Sequence, residues 1–174
     1  MGPAVASTYN HAQSNVLKRA IRRSAGWKPL SLFYARTLHL IDRAVFKLTR
    51  GRVTFTSWLA GLPVAWLTTT GAKSGAERTS PVLAIPCGDG RLIVIASNYG
   101  QRNNPAWYHN LRTNPRARVQ FDGGQHDMVA RVLEGDERAR WYERGIEIYP
   151  GWVQYRKRAP REIPVIELSA PQGT

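Results

Sequence analysis

Hydrophobic and polar residues follow one period before about residue 53 and another after it. In the first part, apolar residues recur at i, i+4, i+7, i+11 and i+14, which predicts an amphipathic helix that ends at Gly51. Its apolar face is formed by Tyr34, Leu38, Ile41, Val45 and Leu48. A shorter basic helix is predicted within SNVLKRAIRRSAG, after a small, polar lead-in that we expect to be disordered.

After residue 53, short apolar runs alternate with glycine and proline turns, which is typical of antiparallel strands joined by hairpins. The predicted strands cover residues 53–58, 64–70, 79–86, 91–97, 116–121, 125–133 and 162–169. A helix is predicted over NNPAWYHNLRTNP, with Asn104 as its cap and Pro105 in its first position. A second helix is predicted over 136–148, and YPGWVQY is interpreted as a broken aromatic stretch.

Six or seven strands with inserted helices predict an α+β or mainly β fold, a small Greek-key or split β-barrel with helices at its N-terminus. No repeat or linker divides the barrel. We expect residues 1–28 to hold the lead-in and the basic helix, and residues 29–174 to form one domain. Pro81 and Pro86 suggest a strand edge or a bulge, since proline lacks the N–H of a sheet ladder.

The charge is strongly positive, with 25 Lys and Arg against 12 Asp and Glu and a formal net charge of +13. Such a surface attracts polyanions, either nucleic acid, an anionic membrane face or a multiply charged cofactor. An arginine-rich genome is a further explanation. The segment Lys18–Arg23 could lie on an anionic membrane, or its helix could pack on its own domain with a solvated basic face.

Several kinds of site are disfavoured by the sequence. The one cysteine, Cys87, allows no internal disulfide, and a structural thiol is expected. The four histidines are far apart, so no metal site is predicted. No signal peptide or membrane span is visible, and we expect a cytoplasmic protein.

The stretch TTTGAKSGAERTSP carries the clearest chemistry. Glycines free backbone N–H groups, hydroxyl side chains flank them, and Lys73 and Arg78 add positive charge, as a bound anion requires. A nucleotide-binding loop of the Walker type is excluded, because the stretch joins two strands and lacks the required glycine–lysine spacing. We therefore expect it to hold the phosphate-bearing tail of a cofactor. Solvated loop charges are the alternative.

Three segments together resemble the deazaflavin-dependent nitroreductase family: LTTTGAKSGAERTSP, VIASNYGQRNNPAWYHNLRTNP and IYPGWVQYRKRAPREIPVIEL. Members of this family are actinobacterial and archaeal oxidoreductases that use reduced coenzyme F-420, an 8-hydroxy-5-deazaflavin. The resemblance implies a split barrel related to FMN-binding barrels. It also implies hydride transfer to a flat, apolar acceptor such as a quinone, a nitro compound or an enone.

The resemblance also implies roles for individual residues. The expected cofactor-binding set is Lys73, Ser74, Gly75, Arg78, Thr79, Pro81, Ala96, Ser97, Asn98, Gly100, Trp107 and Asn110. The expected substrate-lining residues are Leu83, Tyr149, Trp152 and Tyr155. For proton delivery we expect Tyr155 first, then Ser97, with Tyr149 as a further catalytic candidate.

The chain departs from the family pattern at four positions. Ala72 and Asn98 stand where basic residues are usual, which predicts weaker tail binding. Leu83 and Trp152 replace tyrosines of the nitroimidazole-reducing members, which favours a quinone or another flat acceptor over nitro-drugs.

Other interpretations of the same residues stay open. The aromatic residues 149, 152 and 155 could form a packed lid without substrate contact. Trp107 and Tyr108 could be core residues, and Asn104 and Asn110 could only cap or brace a helix. An FMN- or heme-binding barrel, or a basic barrel that binds single-stranded nucleic acid, is the alternative function. We expect a small-molecule partner and a monomer or weak homodimer.

Overall fold

The structure, a computed structural model, describes residues 62–171. Both predicted N-terminal helices, the strand 53–58 and the division at residue 28 lie outside the described residues. The described strands are β1 (Val64–Thr70), β2 (Glu77–Pro86), β3 (Leu92–Ile95), β4 (Arg116–Phe121), β5 (Gly124–Leu133) and β6 (Val165–Ser169). The helices are α1 (Ala106–Thr113), α2 (Gly135–Ile148) and α3 (Gly151–Arg158), and a 3-10 turn covers Asn98–Gly100.

The six strands close into an antiparallel barrel in the order β1-β2-β3-β6-β5-β4. This topology confirms the predicted split barrel. Strand β2 is shared between two neighbours, pairing with β1 over residues 77–83 and with β3 over residues 84–86. Pro81 therefore lies where β2 has a single strand neighbour among the described residues, a position that tolerates the missing N–H.

Alternation along the strands builds two hydrophobic clusters. Leu92 and Val94 face the barrel interior, which helix α1 closes with Trp107, Tyr108 and Leu111. Ile93 and Ile95 face outwards, where they pack against α2 and α3. We call this outer group the aromatic cluster. Its aromatic members are Tyr142, Tyr149, Trp152 and Tyr155.

The six strand predictions that fall within residues 62–171 are confirmed, with the same bounds at 64–70 and 116–121. Two strands are shorter than predicted, because β3 ends at Ile95 and β6 begins at Val165. Just beyond this pairing, the Ala96 N–H donates to the Pro164 carbonyl at 2.9 Å. The Ser97 N–H then donates back to the Ile95 carbonyl at 2.9 Å, so the chain turns away from the sheet.

Two helix predictions are wrong in detail. Asn104 does not cap α1, which follows Pro105 without a side-chain cap hydrogen bond. The stretch interpreted as broken is helix α3. Its first residue, Gly151, has no room for a side chain, since a Cβ there would lie 2.5 Å from the Tyr149 ring. Glycine here reflects close packing and does not break the helix.

A buried carboxylate on β6 forms ion pairs with two arginines of the barrel. Glu167 on β6 has an 8% exposed side chain and lies between Arg91 at 3.1 Å and Arg131 at 3.3 Å. Arg131 also forms a two-bond pair with Glu137, in which both distances are 2.9 Å. Strands β5 and β6, the residue before β3 and helix α2 are thereby connected through charge.

We predict that Glu167→Ala lowers the free energy of unfolding by about 1–3 kcal/mol, because it removes a buried carboxylate that accepts hydrogen bonds from Arg91 and from the exposed Arg131. The matched control is Glu143→Ala, which removes an exposed pair with Arg156 and is expected to cost about 0.5 kcal/mol or less. Urea unfolding of both variants checks this. Equal losses would contradict a structural role for the buried carboxylate.

Candidate cofactor and substrate site

The connection between β1 and β2, residues 71–76, forms a tight turn stabilised by its own backbone. The Gly71 N–H donates to the Ala76 carbonyl at 2.8 Å, and the Gly75 N–H donates to the Gly71 carbonyl at 2.8 Å. Gly75 has a φ of 66°, the left-handed conformation that glycine adopts without strain. At Gly71 a Cβ would meet the Ser74 hydroxyl at 2.7 Å. Both glycines are therefore required by the loop geometry.

Asn110 joins this loop to helix α1. Its buried side-chain amide donates from Nδ2 to the Thr69 hydroxyl at 2.9 Å and accepts at Oδ1 from the Ala72 N–H at 3.0 Å. Thr69 in turn contacts the Arg78 carbonyl at 3.4 Å. The amide thus fixes the end of β1, the loop and the start of β2 against one helix.

The loop exposes positive charge to solvent. Lys73 and Arg78 are exposed, and neither side chain has an ion pair or hydrogen bond within residues 62–171. By contrast, Arg118, one strand away, pairs with Glu77. Ser74 and Thr79 are also exposed, and Thr79 shares a 2.9 Å hydrogen bond with the Thr68 hydroxyl. The loop, through Lys73, and the start of β2, through Arg78, therefore present cations that remain available to an external anion.

The outer face of β2 leads from the loop to the aromatic cluster. Thr79, Pro81 and Leu83 share this face because side chains alternate along a strand. The distance from Thr79 to Leu83 is about 13 Å at the usual rise. Leu83 packs against the aromatic cluster, so the loop and the cluster lie at opposite ends of one continuous strip.

Hydroxyl and indole groups connect the aromatic cluster internally. The Tyr149 and Tyr155 hydroxyls are 2.9 Å apart, and Trp152 Nε1 donates to the Ser97 hydroxyl at 3.2 Å. All four residues are buried, with exposures of 6% for Tyr149, 2% for Tyr155, 2% for Trp152 and 9% for Ser97. The three expected catalytic residues therefore belong to two hydrogen-bonded pairs, which meet through the contact between the Tyr149 and Trp152 rings, whose centroids are 5.6 Å apart.

The turn between β3 and α1 has an unusual backbone. Three consecutive residues, Asn98, Tyr99 and Gly100, have φ values of 45°, 56° and 74°. A left-handed conformation costs roughly 1–2 kcal/mol for each residue with a side chain, somewhat less for asparagine. Asn98 Nδ2 donates to the Asn103 carbonyl at 2.8 Å. Strain of this kind concentrates at functional sites, where the surrounding structure maintains it.

The chain matches the family model described as F420H(2)-dependent quinone reductase over residues 41–169. The chain belongs to this family. Its membership confirms the family expected from the three sequence segments, and with it the class of F-420-dependent oxidoreductases.

Similar proteins support the assignment. An F420H(2)-dependent quinone reductase of Mycobacterium tuberculosis is 31% identical over 130 residues, covering 72% of this chain and 85% of the relative. A solved F420-H2 dependent reductase, FDR-A, is 37% identical with a TM-score of 0.56, covering 62% of this chain and 94% of that one. A structure described as a domain-swapped dimer is 31% identical with a TM-score of 0.59, covering 75% and 97%.

The described residues of this family member fit a phosphate-bearing cofactor. The loop cations are available, and the side of Gly75 is open, with nothing within 4 Å of an added Cβ. Asn104 provides a second observation that fits a bound ligand. Its Oδ1 is buried without a hydrogen-bond partner in the part of the chain described here. A buried polar atom of this kind calls for a ligand or water partner.

Not every expected cofactor residue lies on this strip. Trp107 and Ala96 are buried in the barrel cluster, which is the core position considered as the alternative for Trp107. Asn110 braces the loop, and its direct contact with cofactor stays a prediction. Gly100 packs against α3, where an added Cβ would lie 2.8 Å from the Tyr155 carbonyl.

Burial controls the protonation of the hydroxyl and thiol groups. It raises the pKa of Tyr155 far above its usual value, and the neighbouring Tyr149 raises it further. It also raises the pKa of Tyr142 to about 12 and that of Cys87 to about 11. The phenols stay protonated at neutral pH, and Cys87 lacks the thiolate that nucleophilic chemistry requires.

Sequence reasoning missed Arg161. Its guanidinium group contacts backbone carbonyls of the turn between β3 and α1, at Ala96, Ser97 and Asn103. No motif identified this residue, since its acceptors are main-chain atoms about 60 positions earlier.

We predict that Asn110→Ala lowers the free energy of unfolding by about 1–3 kcal/mol, because the buried Thr69 hydroxyl and the Ala72 N–H lose their shared partner. The Ala72 amide should also exchange with deuterium faster. Gln154→Ala, which removes an exposed amide from α3, is expected to change stability by about 0.5 kcal/mol or less. Unchanged Ala72 exchange in the Asn110 variant would contradict the bracing role.

Proposed function

We propose that this chain is a reductase that uses reduced coenzyme F-420 to transfer a hydride to a quinone or a similar flat, apolar acceptor. The observation that carries the proposal is the strip on β2, which leads from an unpaired cationic loop to a buried aromatic and hydroxyl network. This arrangement provides one end for a polyanionic tail and another for a flat ring.

Lys73 and Arg78 bind the anionic tail in this proposal. Both are exposed and without partners among the described residues, so binding breaks no existing ion pair. A cationic loop also raises the local concentration of an anionic ligand and its association rate. Ala72 contributes no charge, which predicts weaker binding than in relatives with a second cation at this position.

Pro81 and Leu83 provide an apolar surface for the ring on the outer face of β2. Both are partly buried, and Leu83 continues into the aromatic cluster. When bound there, reduced F-420 supplies a hydride. Conversion of a quinone to a hydroquinone consumes a hydride and a proton, so the chain has to hold a proton donor near the acceptor oxygen.

The hydroxyl network supplies that proton in the proposal. Tyr155 is protonated at neutral pH, as an ordinary phenol is, and burial raises its pKa further. Its hydroxyl is 2.9 Å from that of Tyr149. Ser97 accepts a hydrogen bond from Trp152 and retains its own O–H for donation. Ser97 is more exposed than Tyr155, 9% against 2%, so we place Ser97 nearer the acceptor and the tyrosine pair behind it.

Contact with an anionic membrane through Lys18–Arg23 would bring the enzyme to quinones dissolved in lipid. This segment lies outside the described residues, and the contact stays a prediction. No helix within residues 62–171 is long and apolar enough to cross a membrane.

We predict that Lys73→Ala and Arg78→Ala each weaken F-420 binding about 10- to 100-fold, the usual effect of losing one charge-assisted hydrogen bond. Arg140→Ala removes an exposed cation from α2 and is the control, expected to change the Kd by about twofold or less. Fluorescence titration with F-420 measures the Kd. Parallel titrations with FMN and a single-stranded oligonucleotide test the alternative functions, and tighter binding of either would contradict the proposal.

We predict that Tyr155→Phe lowers kcat about 100-fold or more, in the usual range for general acid–base groups, without changing the KM for reduced F-420. Tyr142→Phe is the matched control, since its hydroxyl donates to the Trp152 carbonyl at 3.0 Å in the same cluster. That variant is expected to lose about 1 kcal/mol of stability and to retain kcat. Steady-state kinetics with a soluble quinone measure both. Equal loss of kcat in the two variants would show a packing effect.

A further inference from the structure

The hydrogen bonds of Arg161 go to main-chain carbonyls and not to a carboxylate. Its guanidinium donates to five main-chain carbonyls, four of them in residues 96–103 and one at Glu162. The distances range from 3.2 to 3.3 Å. No carboxylate pairs with it within residues 62–171, whereas Arg91, Arg131 and Arg138 all pair with glutamates.

The acceptors of Arg161 enclose the strained turn. They are the carbonyls of Ala96 and Ser97 before the left-handed residues and those of Gln101 and Asn103 after them. Carbonyl dipoles that converge in this way repel one another unless a cation lies between them. Burial lowers the pKa of Arg161, but a guanidinium group remains charged throughout the physiological range.

A second contact holds the same turn from α3. Arg158 Nη1 contacts the Tyr99 carbonyl at 3.4 Å, and the Tyr99 ring meets that of Tyr155 edge-on at 5.9 Å. The turn therefore lies between the guanidinium of Arg161 and the helix that carries the proposed proton donor. Its conformation affects both the cofactor segment and the hydroxyl network.

We propose that Arg161 is a positioning residue that maintains the left-handed turn at Asn98–Gly100 in the conformation that receives the cofactor. This inference rests on the proposed function for its cofactor. The role is indirect, because Arg161 acts on the backbone of residues 96–103 and not on the reacting atoms. Lysine could replace it only in part, since an ammonium has three donors and no planar fork.

The test uses Arg161→Gln and Arg161→Lys in the full chain, with Arg140→Gln as the control that removes an exposed arginine. Deuterium exchange without cofactor reports on the turn through two amides, the Gly100 N–H bonded to Ser97 and the Gln101 N–H bonded to Asn98. Fluorescence titration gives the Kd for F-420, and steady-state kinetics give kcat and the KM for reduced F-420. Thermal unfolding and circular dichroism confirm that each variant is folded.

For Arg161→Gln we expect exchange of both amides to accelerate about tenfold or more. The Kd and KM should rise about tenfold, while kcat at saturating cofactor stays within about threefold of wild type. Arg161→Lys should fall between wild type and Arg161→Gln, and Arg140→Gln should match wild type. This split between KM and kcat, with partial rescue by lysine, would not follow from a general loss of stability.

Three results would overturn the inference. Unchanged exchange in a folded Arg161→Gln variant would show that the guanidinium does not maintain the turn. Faster exchange with an unchanged Kd and KM would show a turn that the cofactor does not use. A wild-type protein that binds no F-420 would overturn the proposed function and the positioning role together, whereas the first two results leave wild-type binding intact.

Discussion

The buried amide of Asn110 is the interaction on which the cofactor loop depends. It joins the Thr69 hydroxyl on β1 to the Ala72 N–H in the loop, and it belongs to the helix that closes the barrel. Because both ends of the amide are satisfied by groups from other elements, neither the loop nor the helix can shift alone without leaving a buried polar group unpaired. The exposed cations Lys73 and Arg78 therefore project from a fixed backbone, which lowers the entropic cost of the anion binding proposed for them.

The two ends of the proposed site use different electrostatic environments. At the loop, the cations are exposed to water, where salt limits the distance over which their charge acts. Within that distance, positive charge raises the association rate of an anionic ligand. At the aromatic cluster, Tyr149, Tyr155 and Ser97 are buried, and burial raises the pKa of the Tyr155 phenol above its ordinary value. Hydrogen bonds in such surroundings are stronger than in water. The outer face of β2 joins the two, so one strand determines the separation between tail and ring.

The sequence identified the six strands of the described barrel and the glycine and proline turns between them, because alternation and turn residues are local signals. It failed at α3, where Pro150 and Gly151 suggest a break. Gly151 instead allows contact with the Tyr149 ring, which lies next to it only in the folded helix. It also predicted that Asn104 caps α1, because asparagine is a common cap residue. In the structure the Asn104 side chain makes no capping hydrogen bond and is partly buried.

By itself, the sequence determined the antiparallel barrel and the family, since both depend on residue types at characteristic spacings, and it predicted an anion-binding loop at Lys73. Only the tertiary structure decided which groups meet. It placed Ser97 against Trp152, 55 positions later, and Arg161 against carbonyls of residues 96–103. Barrel closure sets these contacts through the register of β3 against β6. Main-chain acceptors carry no side-chain identity, so no pattern of residues could have revealed the role of Arg161.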